Sequence, residues 1–179
     1  MVIADEIYED MVFEGNEYIP LASLSKGDLA CPVLTCSGLA KRFLVPGWRF
    51  GWVVINEPEG YDLSAIRKGL FDLSTLIIGS CTLIQSALPE IFANTPESFY
   101  KDVNKVLEGN AKYLWEELGK IEGLNVIKPQ GTMYMLVGIE FDKFEGFRND
   151  LEVSELLISE QSISVLPGSV RISSKIMAY

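Results

Sequence analysis

The chain has 179 residues, of which 48% are hydrophobic and 22% charged, and its formal net charge is -10. This composition is typical of a globular protein, and the acidic balance excludes a general affinity for nucleic acids or anionic membrane surfaces, because both require a basic face. The sequence contains no histidine, which excludes Ser-His-Asp and Cys-His catalysis and every histidine-ligated metal site.

Hydropathy and cysteine content predict a cytoplasmic protein. The mean hydropathy of +0.19 is high and indicates extensive burial, including a subunit interface. No segment has the length and apolarity of a membrane span, and the start MVIADEIYED lacks the basic region of a signal peptide. Cys31, Cys36 and Cys81 lack the spacing of a zinc site, so we expect free thiols in a reducing compartment.

The first half of the chain reads as an α/β segment. The apolar run 1–4 predicts a buried parallel strand with Asp5 and Glu6 at its carboxyl end. Such a strand needs neighbours on both sides, so we expect the chain to be a piece of a longer fold. Further strands are predicted over 32–36 and 48–55, and helices over 63–78 and 82–92.

The second half begins with a strong helix start. Thr95 is predicted as the N-cap, Pro96 occupies the first helical position, and Glu97 lies in the first turn of a helix that continues to Leu118. The remaining predicted elements are strands over 126–127, 133–139 and 163–166 and a helix over 153–159. This order predicts an α/β segment over 1–95 and a smaller α+β unit over 96–179.

The stretch CSGLAKRFLVPGWRFGW, residues 36–52, places cations within an aromatic and apolar run. An amine such as that of Lys41 attacks a carbonyl only when unprotonated, a state that burial and neighbouring cations favour. Arg49 has the planar fork that suits a phosphate, and Asp5 could hold a pyridine nitrogen protonated, with Tyr8 nearby in the chain. Together these groups meet the needs of pyridoxal phosphate.

Each motif alone also has an ordinary structural interpretation. A lysine–arginine pair is commonly a solvated turn, Pro-Gly-Trp a tight turn before a strand, and an acid–tyrosine pair at a strand end a loop start. The joint order of the motifs is what favours the cofactor interpretation.

That order resembles the class I pyridoxal-phosphate-dependent aminotransferases. The resemblance rests on ADEIY at 4–8 and SGLAKRFLVPGWRFGW at 37–52, and it continues through GTMYMLVGIE at 131–140 and ISEQSISVLPG at 158–168. The variant KRFLVPGWRFGW, with DMVF at 10–13, is most similar to the members that act on tyrosine. The resemblance therefore covers nearly the whole chain.

The resemblance implies a fold-type-I pyridoxal-phosphate transferase of the α/β class. Residues 1–95 would be the second half of the large cofactor-binding domain, and residues 96–179 most of the small α+β domain. The half that precedes ADEIY in the family, with the ring that stacks on the cofactor, is expected to be missing. The final helices of the small domain are expected to be missing as well.

Four residues receive roles from the resemblance. Lys41 would bond covalently to the cofactor and move a proton between the substrate Cα and the cofactor carbon. Asp5 would pair with the pyridine nitrogen, Tyr8 would bind the ring's phenolic oxygen, and Arg49 would bind the phosphate.

Two positions depart from the family pattern. Relatives carry a phosphate-binding serine or threonine three residues before the lysine, where this chain has Gly38, and Ser37 is the nearest hydroxyl. Arg171 matches the arginine that binds the substrate α-carboxylate, although the loop before it is shortened. We therefore assign Ser37 to the cofactor and Arg171 to the substrate.

The implied activity is transfer of the amino group of an aromatic amino acid, tyrosine in particular, to 2-oxoglutarate in amino-acid catabolism. The expected enzyme is a cytoplasmic homodimer that binds amino acids and 2-oxo acids, with no nucleic acid and no membrane as partner. Two alternatives remain open: a carbon–sulfur lyase with the same cofactor constellation, and an inactive fragment that lacks the first half of the site.

Overall fold

In the computed structural model, which describes residues 1–170 and 176–178, the chain divides into two units, Met1–Lys101 and Asp102–Tyr179. The division falls inside a long helix, a few residues beyond the boundary between 95 and 96 that the sequence predicts.

A three-stranded sheet organises the first unit. Its strands are β1 (Val2–Asp5), β2 (Val33–Gly38) and β3 (Gly51–Asn56), in the spatial order β1-β2-β3. β1 runs parallel to β2, and β3 runs antiparallel to it. The register pairs Asp5 with Cys36 and Gly38 with Gly51. The predicted strand 1–4 is thus confirmed as a parallel strand.

The predicted burial of that strand is wrong. Among the described strands β1 pairs on one side only, and Ile3 is 67% exposed, whereas Ala4 is buried. Burial is instead concentrated in the central strand, where Val33 and Leu34 are both covered. An apolar run shows that a strand favours an apolar environment, but its neighbours decide whether it is covered.

The helices of the first unit are α1 (Leu21–Leu24), α2 (Leu39–Arg42), α3 (Ser64–Leu76) and α4 (Thr82–Asn94), and the long helix α5 (Glu97–Leu118) begins there. The two helices predicted over 63–78 and 82–92 are confirmed, with ends shifted by one or two residues. The one-turn helix α2 follows β2 directly, and its Leu39 side chain is fully buried.

The start of α5 differs in detail from the prediction. The Thr95 hydroxyl donates to the carbonyl of Ile91 at 2.6 Å, so it closes α4, and α5 begins at Glu97 after Pro96. A threonine between two helices can satisfy either one, and here the preceding carbonyl receives its hydrogen bond.

The strand predicted over 48–55 begins later than expected. Pro46–Trp48 form a 3-10 turn, and Arg49 has the left-handed conformation, with φ of 52°. Proline fixes its own φ near the helical value, which favours a tight turn at this point. The extended backbone of β3 therefore begins only at Gly51.

The second unit contains an antiparallel sheet and one further helix. Its strands are β4 (Leu124–Val126), β5 (Leu136–Ile139) and β6 (Ile176–Ala178), in the order β4-β5-β6, and its helix is α6 (Asp150–Gln161). Both pairings are antiparallel. The strands predicted over 126–127 and 133–139 correspond to β4 and β5, with ends shifted by one to three residues.

Helix α6 has a well-defined start and core contact. The Asn149 side chain accepts a hydrogen bond from the backbone N–H of Glu152 at 2.9 Å, which satisfies a donor in the first turn. Val153 of this helix packs with Ile139 and Val165 in the core of the unit.

The strand predicted over 163–166 is wrong. Of these four residues, all within the described part of the chain, only Leu166 forms a bridge. Helix α6 ends at Gln161, and the residue that caps it, Ser162, is left-handed with φ of 57°. The N–H of Ile163 donates to the carbonyl of Leu157 at 3.0 Å. The helix terminus therefore uses the backbone that a strand would need.

Candidate active site

The first sheet brings together five of the residues that the sequence predicts for the site. Because β1 and β2 are parallel, their carboxyl ends lie at the same edge of the sheet, and antiparallel β3 begins at that edge. Asp5 ends β1, and Tyr8 follows it. Ser37 lies at the end of β2, with Lys41 in the helix after it, and Arg49 precedes β3.

Lys41 and Tyr8 are the pair whose side chains meet at this edge. The amine of Lys41 lies 5.7 Å from the centre of the Tyr8 ring, within the range of a cation–π contact. Both side chains are half-buried. Helix α2 holds Lys41 because Leu39, at its first turn, is anchored in the core.

Asp5 is exposed at the end of β1, and the backbone around it is fixed by pairing with β2. It lies opposite Cys36 in the register, and the N–H of Glu6 donates to the Cys36 carbonyl at 2.9 Å. Its Oδ1 accepts a long hydrogen bond from the N–H of Ile7 at 3.4 Å. The carboxylate is therefore held at the sheet edge by backbone pairing.

Arg49 is positioned by the turn that precedes β3. Its Nη1 donates to the carbonyl of Pro46 at 3.0 Å, and the side chain is exposed. A guanidinium carries five N–H donors, so this one hydrogen bond leaves the capacity to bind an anion.

The end of β2 departs from the family pattern, because glycine occupies position 38, where relatives carry a serine or threonine. The Ser37 hydroxyl is buried and donates to Oε1 of Glu9 at 2.9 Å. A Cβ on Gly38 would lie 2.7 Å from the carbonyl oxygen of Phe50 and 2.9 Å from Cα of Gly51. The close approach of β2 and β3 thus leaves no room for a serine or threonine side chain at position 38.

Sequence reasoning missed the partner of Arg42. Its Nη1 lies 3.1 Å from Oδ2 of Asp10, and both side chains are 30% exposed. The guanidinium carbon also lies 5.5, 5.8 and 5.0 Å from the ring centres of Phe43, Phe92 and Tyr100. The cation at position 42 is therefore matched by a carboxylate of the chain itself, and no local sequence pattern indicates this pairing.

The environment of this pair shifts both pKa values. Burial raises the pKa of Asp10, the nearby Arg42 lowers it, and Glu97 raises it, with a net increase above the ordinary value of 3.8. Burial lowers the pKa of Arg42, but Tyr100 and Asp10 raise it by more. Arg42 is therefore charged, and burial weighs more on Asp10 than the attraction of Arg42 does.

Two other acids after β1 also have partners. Oε1 of Glu6 accepts from the N–H of Leu21 at 2.8 Å, and Glu9 holds Ser37 as described. The acidic loop is thus tied to the rest of the first unit by side-chain hydrogen bonds.

Arg171, the remaining predicted site residue, lies outside the described residues.

The groups at the sheet edge fit pyridoxal phosphate in their chemistry. Lys41 offers an amine for the aldehyde carbon, Asp5 a carboxylate for the ring nitrogen, Tyr8 a phenol for the ring oxygen, and Arg49 a guanidinium for the phosphate.

Comparison with known proteins agrees with this interpretation. The sequence profile of the family described as "Aminotransferase class I and II" matches residues 1–175. Tyrosine aminotransferase of Mus musculus is 46% identical over 168 residues, which are 94% of this chain and 36% of the mouse protein. The crystal structure of tyrosine aminotransferase from Leishmania infantum superposes with a TM-score of 0.86 at 27% identity, covering 98% of this chain and 42% of that one.

A relative with a different printed activity is less similar to the chain. An S-alkyl-thiohydroximate lyase of Arabidopsis thaliana is 31% identical over 170 residues. This chain spans only about a third of the length of the mouse and Arabidopsis proteins. The α/β fold predicted from the resemblance is confirmed for this portion, and the match to the family profile over nearly every residue places the chain in the class I and II aminotransferase family.

Proposed function

We propose that this chain carries the covalent cofactor site of a pyridoxal-phosphate-dependent aminotransferase that moves the amino group of tyrosine to 2-oxoglutarate. The observation that supports the proposal is the meeting of Lys41 with Tyr8 at the sheet edge where Asp5 ends its strand and Arg49 precedes its own. An amine, a carboxylate, a phenol and a guanidinium on three neighbouring strand ends are what such a cofactor requires.

Each proposed binding residue matches the charge or hydrogen-bonding need of one group of the cofactor. Arg49 binds the phosphate dianion through the N–H donors that Pro46 does not use. Asp5 compensates the positive charge on the protonated ring nitrogen, and the Tyr8 hydroxyl donates to the ring oxygen. The predicted contact of Ser37 with the phosphate stays a prediction, and it requires the hydroxyl to give up its bond to Glu9.

Lys41 carries the proton transfers. When bound, pyridoxal phosphate draws electrons away from the substrate Cα. The Lys41 amine would take the proton from Cα and return it to the cofactor carbon, and water would then release the carbon skeleton as the 2-oxo acid while the amino group stays with the cofactor. In the second half-reaction the same amine moves a proton in the opposite direction, and 2-oxoglutarate leaves as glutamate. Arg171 binds the α-carboxylate of both substrates in this proposal.

We favour transamination of tyrosine over carbon–sulfur lyase activity because the chain is more similar in sequence to a tyrosine aminotransferase than to a lyase. The aminotransferase from mouse is 46% identical to the chain, and the lyase from Arabidopsis 31%. The acceptor 2-oxoglutarate and a role in amino-acid catabolism follow from the family resemblance.

The wider setting of the enzyme is also part of the proposal. Residues 1–95 belong to the large cofactor-binding domain and 96–179 to the small domain. The working enzyme is a homodimer, which agrees with the exposed apolar side chains Phe71, Leu76 and Ile78. We place it in the cytoplasm. Separately, none of the helices within the described residues combines the length and apolarity needed to cross a membrane.

An isotope experiment tests the activity. The chain, supplied with pyridoxal phosphate, is incubated with ¹⁵N-tyrosine and 2-oxoglutarate, and the label is followed by mass spectrometry. The proposal expects ¹⁵N-glutamate and the 2-oxo acid of tyrosine in equal amounts. A parallel incubation with a cysteine conjugate detects lyase action as pyruvate, ammonia and a thiol. Oxo acid without labelled glutamate, or lyase products alone, would each reject the proposed activity, and no turnover would favour the alternative of an inactive fragment that lacks the first half of the site.

A further inference from the structure

Arg42 and Asp10 are close in the chain to Lys41 and Tyr8, the two residues whose side chains meet at the site. Arg42 follows Lys41 directly in α2, and Asp10 comes two residues after Tyr8 in the loop that follows β1. Their ion pair, 3.1 Å between Nη1 and Oδ2, is thus a side-chain link between the segment that carries the amine and the segment that carries the phenol.

Besides the ion pair with Asp10, the guanidinium of Arg42 also contacts aromatic rings. Phe43, Phe92 and Tyr100 surround it at 5.0–5.8 Å, and Phe43 in turn packs edge-on against Phe92 and Tyr100. Helices α4 and α5 supply Phe92 and Tyr100, so the rings belong to elements outside the loop and α2. A planar cation in contact with a carboxylate and three rings has little rotational freedom.

This environment argues against a role for Arg42 in binding an anionic substrate or cofactor. One of its terminal nitrogens lies 3.1 Å from a carboxylate oxygen of Asp10, and three aromatic rings lie within 5.8 Å of the guanidinium carbon. The pKa of Asp10 is also raised, because the effect of burial exceeds the opposing attraction of Arg42. A half-buried ion pair of this kind can serve to fix a particular geometry.

We propose that Arg42, held by Asp10 and by the rings of Phe43, Phe92 and Tyr100, is a positioning residue that fixes the Lys41 amine beside the Tyr8 ring. The geometric claim is independent of the cofactor. Its catalytic meaning rests on the proposed function, in which that amine transfers the proton.

Ring-current shifts in NMR spectra test the geometry without cofactor. The Tyr8 ring should displace the resonances of the Lys41 ε-methylene group upfield, and Tyr8→Leu identifies this displacement by removing it. We expect Arg42→Gln to remove more than half of the displacement and Asp10→Asn to reduce it. Arg42→Lys, which keeps the charge, should keep a larger share than Arg42→Gln. Arg67→Gln is the matched control, because it breaks the Arg67–Glu57 ion pair of 2.9 Å elsewhere in the first unit.

The outcomes separate the two claims. A displacement that is unchanged in both Arg42→Gln and Asp10→Asn, or lost equally in Arg67→Gln, would overturn the positioning role. If Arg42→Gln does not fold, Arg42→Lys and Asp10→Asn carry the same test. Covalent labelling of Lys41 by pyridoxal phosphate is measured separately on the parent chain. Failure of that labelling would reject the proposed function and leave the geometric result standing.

Discussion

The amine of Lys41 lies 5.7 Å from the centre of the Tyr8 ring, although the two residues belong to different segments that follow different strands. The parallel pairing of β1 with β2 produces this contact, because it places both segments at the same sheet edge. The geometry of that edge can therefore be tested through the strands and the helix turn that support it.

Position 38 tests the close approach of β2 and β3. We expect Gly38→Ser to lower the free energy of unfolding by about 1–3 kcal/mol, because its Cβ would lie 2.7 Å from a backbone oxygen. Thermal denaturation measures the change. Gly47→Ser is the control, since a Cβ there meets no atom within 4 Å. Equal stability of Gly38→Ser and the parent chain would show that the strands can separate to admit a hydroxyl.

Leu39 tests the anchor of the helix that carries Lys41. Its side chain is fully buried, so Leu39→Ala should destabilise the chain by about 2–5 kcal/mol. Leu76→Ala removes the same atoms from a side chain that is 77% exposed and should change stability by less than about 0.5 kcal/mol. Chemical denaturation compares the two variants, and similar losses in both would contradict the assigned packing.

The main features of this edge could be predicted from the sequence because they depend on local patterns. Apolar runs predict β1 and β2, an acid directly after the first run points to Asp5, and cations within the aromatic stretch 36–52 point to Lys41. Parallel pairing then brings such residues together without further information. The roles of Asp5, Tyr8, Lys41 and Arg49 come from the family resemblance and stay predictions.

The features that sequence reasoning missed depend on contacts between distant residues. No local pattern pairs Asp10 with Arg42, since the two lie in different segments and meet only after the strands pair. The exposure of Ile3 is set by the neighbours of β1. The failed strand over 163–166 is short, and the end of α6 competes for the same backbone groups.

The raised pKa of Asp10 predicts that its contribution to the free energy of unfolding decreases as the pH rises. Its folded-state pKa lies above 3.8, so its protonated form contributes stability that is fully present below pH 3.8 and is lost as the pH rises through the folded-state pKa. The free energy of unfolding of the parent minus that of Asp10→Asn should therefore fall as the pH rises from below 3.8. Urea titrations across that range measure it. A difference that grows with pH would mean that the attraction of Arg42 outweighs burial.

Asp5 tests the charge that the ring nitrogen requires. Asp5→Asn keeps the shape of the side chain but removes its charge, so we expect covalent labelling of Lys41 to persist while Cα–H exchange of tyrosine slows by about a hundredfold or more. Asp5→Glu, which keeps the charge, should lose far less. Deuterium exchange at Cα followed by NMR compares the three chains. Exchange by Asp5→Asn within a few-fold of the parent would make Asp5 an ordinary acid at a strand end.

The central claim is that Lys41 is the cofactor lysine, and reductive trapping tests it most directly. The chain is mixed with pyridoxal phosphate, reduced with borohydride and digested, and the modified lysines are located by mass spectrometry. The account predicts an adduct concentrated on Lys41, with a visible absorbance band before reduction that Lys41→Arg abolishes. Exposed lysines such as Lys68 and Lys112, whose side chains are 76% and 72% exposed, should stay at background. An adduct spread over those lysines, with Lys41 no more modified than they are, would contradict the account.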